Sequence, residues 1–205
     1  MHRTPLGYQV WAIAIYLLET NIKGVSSMKL HRDLGFTQQS AWHPAHRFRE
    51  TWVDNNGLFS GPVEEDETYM RGKEGNKNES KKLKQGRGTV GKAAVVEAKD
   101  HASNKVSVQV VERTNAKTIH PFVEQLTEQG ATVYTDEATV YESLPTNSNK
   151  YDQESVGEYV WAQAHTNGVE SFWALLTRGY QGTYHQMSVK HLNRYVHEFS
   201  GRHND

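Results

Sequence analysis

The sequence contains no cysteine. Disulfides and thiolate zinc sites are therefore excluded, and any bound metal must sit on carboxylates, imidazoles or carbonyls, the donors of hard cations. A membrane-spanning run of about 18 apolar residues is also missing. The nearest approach, Val10 to Leu18, is short, and nothing beside it reads as a signal-peptide cleavage site. A cytoplasmic protein without a membrane partner is the expectation. Charge of one sign is absent in bulk: 23 Lys and Arg against 24 Asp and Glu give a formal charge of −1, which does not announce a nucleic-acid binder.

What is present suffices for a folded protein. With 205 residues, 36 % hydrophobic and 10 % aromatic, the chain can bury the core of one ordinary domain plus a small accessory one. The even charge balance also hides segregation. Between Met70 and Lys92 stand Arg71, Lys73, Lys77, Lys81, Lys82, Lys84, Arg87 and Lys92, opposed only by Glu74 and Glu79. Such a segment suits phosphate contacts, although a lysine-rich loop is equally satisfied by solvent.

Apolar residues recur at helical spacing from Tyr8 to Glu19. Ser26 to Gly35 then reads as a short capped helix closed by glycine, and Thr37 caps a second helix. Helix, glycine turn and helix is the helix-turn-helix layout; the alternative is a helical hairpin that serves only packing. Pro44 falls inside the second helix, where its missing donor costs on the order of 3 kcal/mol. These elements define an expected helical, DNA-binding region over 1–55, and 56–205 is expected to form a second domain.

Past Asn56-Gly57 the pattern changes to strands at Gly61 to Met70, Gly91 to Lys99 and Lys105 to Arg113, read as an antiparallel meander. A helix is expected from Asn115 to Gln129 and a short buried strand from Ala131 to Thr135. The remainder reads as a loop from Leu144 to Ala164, a helix from about Asn167 to Arg178, a tight turn at Gly179 to Gly182, and a last helix from Ser188 to Phe199. Three strands, a helix, a strand and further helices is the order of an RNase H-like α/β domain: a mixed sheet flanked by helices.

Three carboxylates stand where such a domain could use them. Strand alternation groups Glu64, Asp66 and Thr68 on one face. Asp66 suits a metal-binding position in the sheet centre; the competing reading is an exposed edge strand protected by charge. Asp136 ends a short apolar strand, where α/β sheets expose functional groups, but could equally cap a following helix. Glu170 shares a helix face with Asn167, with Arg178 about two turns on, and Asn167 with Glu170 also satisfies a capping box. Among the eleven histidines the close pair His43 and His46 has no third ligand nearby, so a histidine metal site is not expected.

The strings Asp66-Glu67-Thr68-Tyr69, Thr135-Asp136-Glu137, His165 through Trp173 and Gly182-Thr183-Tyr184-His185, with His191 to Tyr195 and Glu198 to Asn204, together resemble the ISXO-type group of bacterial insertion-sequence DDE transposases. The resemblance runs from about Lys23 to Asn204. It implies an RNase H-like fold and an acidic triad, carried onto Asp66, Asp136 and Glu170, that holds two Mg²⁺ or Mn²⁺ ions. It implies DNA cleavage that frees a 3′-hydroxyl, followed by attack of that hydroxyl on target DNA. The partners implied are double-stranded DNA, as element ends and target, and a second copy of the chain in a homodimer or higher oligomer. Arg178, Asn167, Lys81, Lys82, Lys84 and Arg87, together with Lys190, are the expected DNA contacts. Other readings are a catalytically degenerate copy that only binds DNA and an RNase H-like nuclease that cleaves without joining.

The sequence departs from the pattern of that group in several places. No cysteine-rich zinc ribbon precedes the helical region, which is the expectation for a truncated or alternatively started product. Thr177 stands where a basic residue generally follows the third carboxylate by two turns, with Arg178 beside it. Glu65 occupies an ordinarily apolar strand position, and Arg71 replaces an expected glycine.

Overall fold

The structure is a computed structural model that describes residues 6–52, 57–70, 92–135, 151–155, 160–161, 164–165 and 167–205. It opens with three helices, α1 (Tyr8–Thr20), α2 (Ser27–Leu34) and α3 (Gln38–Arg49). Trp11, Ala14 and Leu18 form the buried stripe of α1, and the last two pack against Val25, Leu30, Ala41 and Ala45. The Ser26 hydroxyl accepts the Lys29 N–H at 3.2 Å and starts α2. Gly35, at φ 73°, ends it in the left-handed conformation that glycine adopts without a Cβ clash. Thr37 caps α3 through the Ser40 N–H at 3.2 Å. The helix continues through Pro44, which the sequence led us to expect as a disturbance. Pro44 lies buried beside Ala41 and Ala45, so its packing offsets part of the lost backbone hydrogen bond.

A five-stranded mixed sheet follows. It is built from β1 (Val63–Met70), β2 (Ala93–Asp100), β3 (Val106–Val111), β4 (Ala131–Thr135) and β5 (Tyr151–Ser155), in the order β3-β2-β1-β4-β5. The first three strands form the expected antiparallel meander, while β4 runs parallel to β1 and β5 parallel to β4. This is the RNase H-like arrangement. Strand β1 is central, so the reading of its acidic run as a protected edge is overturned.

Two other expectations also change. The span from Leu144 to Ala164 is not simply a loop, because it contains β5 and enters the two-residue ribbon of β6 (Val160–Trp161) and β7 (Ala164–His165). Tyr-Asp-Gln-Glu-Ser has no alternating apolar face, so its strand identity comes from pairing with β4. The turn expected at Gly179 to Gly182 is instead helical. Helix α5 (Asn167–Gly179) passes directly into a π-helical segment, Tyr180–Tyr184. Gly179 has ordinary helical angles and is pressed against the Phe199 ring, so it serves close packing there and does not reverse the chain.

The sheet is covered on both faces. Val63, Val96 and Ala98 meet Ile119, Phe122 and Val123 of α4 (Ala116–Leu126) on one side. Val95, Val106 and Val108 meet Phe172 and Leu176 of α5 and Leu192, Val196 and Phe199 of α6 (Val189–Asn204) on the other. Helix α6 also binds the N-terminal helices through Glu198, which is fully buried. Its carboxylate accepts Arg49 Nε–H at 2.5 Å and the Tyr184 hydroxyl at 3.0 Å, and also pairs with Arg202. Arg202 reaches further, donating from Nε to the Leu18 carbonyl at 3.1 Å.

Removing one member of a buried ion network leaves the others uncompensated. Glu198→Ala is expected to lower unfolding stability by about 3–5 kcal/mol, read from the urea midpoint. A change of less than about 1 kcal/mol would mean that Arg49 and Arg202 find other partners without cost.

Candidate active site

The site is built on the centre of β1. Alternation turns Glu64 and Asp66 toward the α5 face, and the register sets Lys99 opposite Glu64 and Glu97 opposite Asp66. Four ionisable side chains thus share a sheet face beneath one helix. The Glu64 carboxylate is 1 % exposed and accepts the Val169 N–H at 3.1 Å, while its other oxygen pairs with His101 Nε2. A helix leaves its first N–H groups without internal partners and carries positive partial charge there, so a carboxylate beneath the first turn is held by both effects.

Gly168 allows that contact. A Cβ at this position would lie 2.8 Å from Glu64 Oε2 and 3.0 Å from Lys99 Cδ and Nζ. The helix can descend onto the sheet only where the side chain is absent.

Asp66 is half-buried. One of its oxygens accepts the indole N–H of Trp173 at 3.0 Å, and the other accepts the Glu67 N–H at 2.8 Å. Trp173 lies one turn beyond Glu170, and residues three apart share a helix face. Glu170 is exposed, and so it stands on the stripe whose next member touches Asp66.

Glu97 is fully buried, and among the described residues neither of its carboxylate oxygens has a hydrogen-bond partner. Burial pushes its pKa well above the ordinary carboxylate range; the charges of Asp66 and Glu64 add to the rise and Lys99 opposes it. Orphaned carboxylate oxygens beside Asp66 suit a hard divalent cation in donor chemistry. Among the described residues, no three acidic or imidazole groups gather closely enough to hold one by themselves.

The other expected site residues divide clearly. Asp136 and the basic residues Lys81, Lys82, Lys84 and Arg87 lie outside the described residues, as do Arg71 and the Asn167 side chain; Asn167 itself opens α5. Arg178 is exposed and donates from Nε to the Ala174 carbonyl at 3.1 Å, so the side chain folds back along its own helix. Lys190 is exposed at the start of α6. Of the close histidine pair, His43 is exposed, while buried His46 has its pKa lowered to about 3, mainly by burial, and packs against Trp42. Sequence reasoning put Glu64 on the Asp66 face but gave it no role, and it missed Glu97, Lys99 and Trp173. Period-two alternation was the available signal for Glu64; nothing local marks Glu97, because its neighbour is decided by register.

The ISXO2-like transposase domain model matches residues 58–204. The chain belongs to that family. Its match spans β1 through α6 and so includes every element of the site. Among solved structures, the transposase domain is similar to the catalytic core domain of BIV integrase, at 14 % identity and TM-score 0.43 over 70 % of this chain and 83 % of that one. It is also similar to the HTLV-2 integrase catalytic core domain in complex with magnesium, at 15 % identity and TM-score 0.41 over 69 % and 86 %. A third likeness is to the simian T-cell lymphotropic virus intasome in complex with PP2A regulatory subunit B56 gamma, at 13 % identity and TM-score 0.42 over 93 % and 65 %. No curated protein matches. No helix among the described residues is long and apolar enough to cross a membrane.

Two outcomes follow for the transposase domain. Glu97 holds its proton more tightly when folded, so its contribution to stability is full below the ordinary carboxylate pKa and is lost as pH rises toward the folded value. Glu97→Gln is expected to flatten that decline in a pH series of thermal melts; an unchanged slope would refute the assignment. Gly168→Ala is expected to cost about 1–3 kcal/mol in chemical denaturation, because the new methyl overpacks Glu64 and Lys99.

Proposed function

We propose that this transposase domain cleaves and rejoins DNA by in-line displacement, with Asp66, Asp136 and Glu170 holding two divalent cations. The observation that carries the reading is Asp66 in the central strand, joined through Trp173 to the helix face that bears Glu170. Magnesium or manganese bound there supplies Lewis acidity toward water and neutralises the charge that gathers on the phosphate. Asp66, Asp136 and Glu170 would hold the pair, and Glu170 is exposed enough to accept a proton from the attacking water. Trp173 holds the Asp66 carboxylate in one orientation. In the first step water frees a 3′-hydroxyl at an element end, and in the second that hydroxyl attacks target DNA.

Double-stranded DNA is the proposed partner, and pairing two element ends calls for at least a homodimer. The 1–55 region is proposed as the DNA-binding part. Gln39, His43 and Arg47 recur at i, i+4 and i+8 of α3 and are all exposed, which suits a helix read out in a major groove. Arg178 and the lysines at 81, 82 and 84 with Arg87 are proposed for backbone contacts, whose affinity falls steeply with salt. The intact α2–Gly35–α3 arrangement also favours a second reading, a copy that binds DNA without cutting it.

Nicking of DNA that carries the element ends separates the two. The expected result is Mg²⁺- or Mn²⁺-dependent nicking, reduced at least a hundredfold in each of Asp66→Ala, Asp136→Ala and Glu170→Ala, with roughly the ~3 kcal/mol or more typical of a lost catalytic group. Retarded DNA without nicking under any metal condition would leave the binder; nicking that survives any one substitution would remove that residue from the triad.

A further inference from the structure

A cavity of about 380 Å³ lies away from the carboxylates, between the N-terminal helices and the π-helical segment. Arg49, Tyr184 and Tyr195 form its inner wall, and Arg32, Trp42 and His185 stand at its exposed rim. Ser27, Gln38, Thr183 and Gln186 add hydrogen-bonding groups. Among the described residues no carboxylate lines it.

The charge behind the wall is also one-sided. Among the described residues Arg49 and Arg202 share the one carboxylate of Glu198, which leaves one formal positive charge in a buried position there. Glu198 holds Arg49 fully protonated although burial opposes it. Burial raises the phenol pKa of both Tyr184 and Tyr195, so these remain neutral and add no negative charge.

The local backbone is unusual at the same place. Tyr180–Tyr184 is a π-helical turn, a form found mostly as single turns and often at functional sites. It ends on His185, a non-glycine residue at φ 56°, whose N–H is held by the Tyr180 carbonyl at 2.7 Å. The wider turn sends Tyr184 inward to Glu198 and leaves Thr183, His185 and Gln186 on the cavity.

An electropositive cleft with an indole at its rim and several neutral hydrogen-bonding groups matches a phosphate joined to a planar base. The volume admits one nucleotide, whereas a duplex roughly 20 Å across is excluded by the scale of such a pocket. We propose that this cavity receives one unpaired nucleotide of the DNA substrate, with Arg32 serving its phosphate and Trp42 its base. The proposal rests on the reading that the domain works on DNA, but it assigns a site that no catalytic step uses. A free mononucleotide has the same chemistry.

Fluorescence anisotropy of the full chain in EDTA, with a blunt duplex and the same duplex bearing a short single-stranded extension, distinguishes these sources. The wild type is expected to prefer the extended duplex by roughly tenfold, within the range of one base–aromatic stack. Arg32→Ala and Trp42→Leu are expected to abolish that preference, read as the ratio of the two affinities, whatever either change does to duplex binding itself. Arg32 is exposed, so its variant keeps the fold even if the Trp42 change does not. Equal affinity of the wild type for both duplexes, or a preference that survives Arg32→Ala, overturns the proposal. Should neither duplex bind, the DNA-acting reading itself fails; broadening of dAMP proton signals by the wild type but not by Arg32→Ala would then keep a nucleotide site fed by free nucleotide, and absence of that broadening would overturn it.

Discussion

The seat of α5 on Glu64 governs the geometry of the domain. A buried carboxylate is costly unless its oxygens are engaged, and here the engagement is the unpaired N–H of a helix start together with His101. Because Gly168 lacks a side chain, the helix meets the sheet at closest approach, and its register along β1 is thereby fixed. Everything C-terminal to that contact inherits the alignment. Phe172 and Leu176 enter the core below, Trp173 reaches Asp66, and Gly179 arrives against Phe199 in time for the chain to enter the π-helical turn and α6.

Two buried polar centres result. Beneath α5, the carboxylates of Glu64, Asp66 and Glu97 crowd together beside Lys99, and burial with that crowding favours the protonated form of Glu97. Beneath α6, Arg49 and Arg202 outnumber Glu198, and the surplus is positive. Neither arrangement is what stability alone would select, since well-packed apolar residues of similar volume commonly match or exceed a buried ion pair. Along the chain the π-helical turn joins α5, which covers the first centre, to α6, which carries Glu198 of the second.

The sequence made much of the frame legible. Periodicity and capping residues marked α1 to α4, because Ser26, Thr37 and Asn115 each cap through their own side chains and Gly35 closes α2 in a left-handed turn. The meander was equally readable from valine-rich alternation. What escaped depended on contacts distant in the chain. The polar Tyr151–Ser155 stretch is a strand through its pairing with β4. Gly179 looked like a turn because glycine so often is one, but it accommodates an aromatic ring twenty residues on. Asp66 could be read as edge or centre until the strand order decided it. Glu97 gained its significance from register alone, since an acid in a valine-rich strand has no local feature that names its neighbour.

The departure at Thr177 can now be given physical content. Thr177 lies seven residues beyond Glu170, hence two turns on along nearly the same line of α5, and it is exposed. Arg178 sits about a further 100° around the helix, and its guanidinium nitrogen is engaged by the Ala174 carbonyl, so it cannot replace a cation at the Thr177 position without giving up that bond. The stripe that carries Glu170 and Trp173 therefore offers a phosphate no nearby positive charge of its own. Fold stability is indifferent to this difference, because an exposed threonine and an exposed lysine serve a helix surface about equally well. Arg32 and Arg49 line the cavity beside the π-helical turn, and because Arg49 is buried and paired with Glu198, Arg32 is the exposed one of the two.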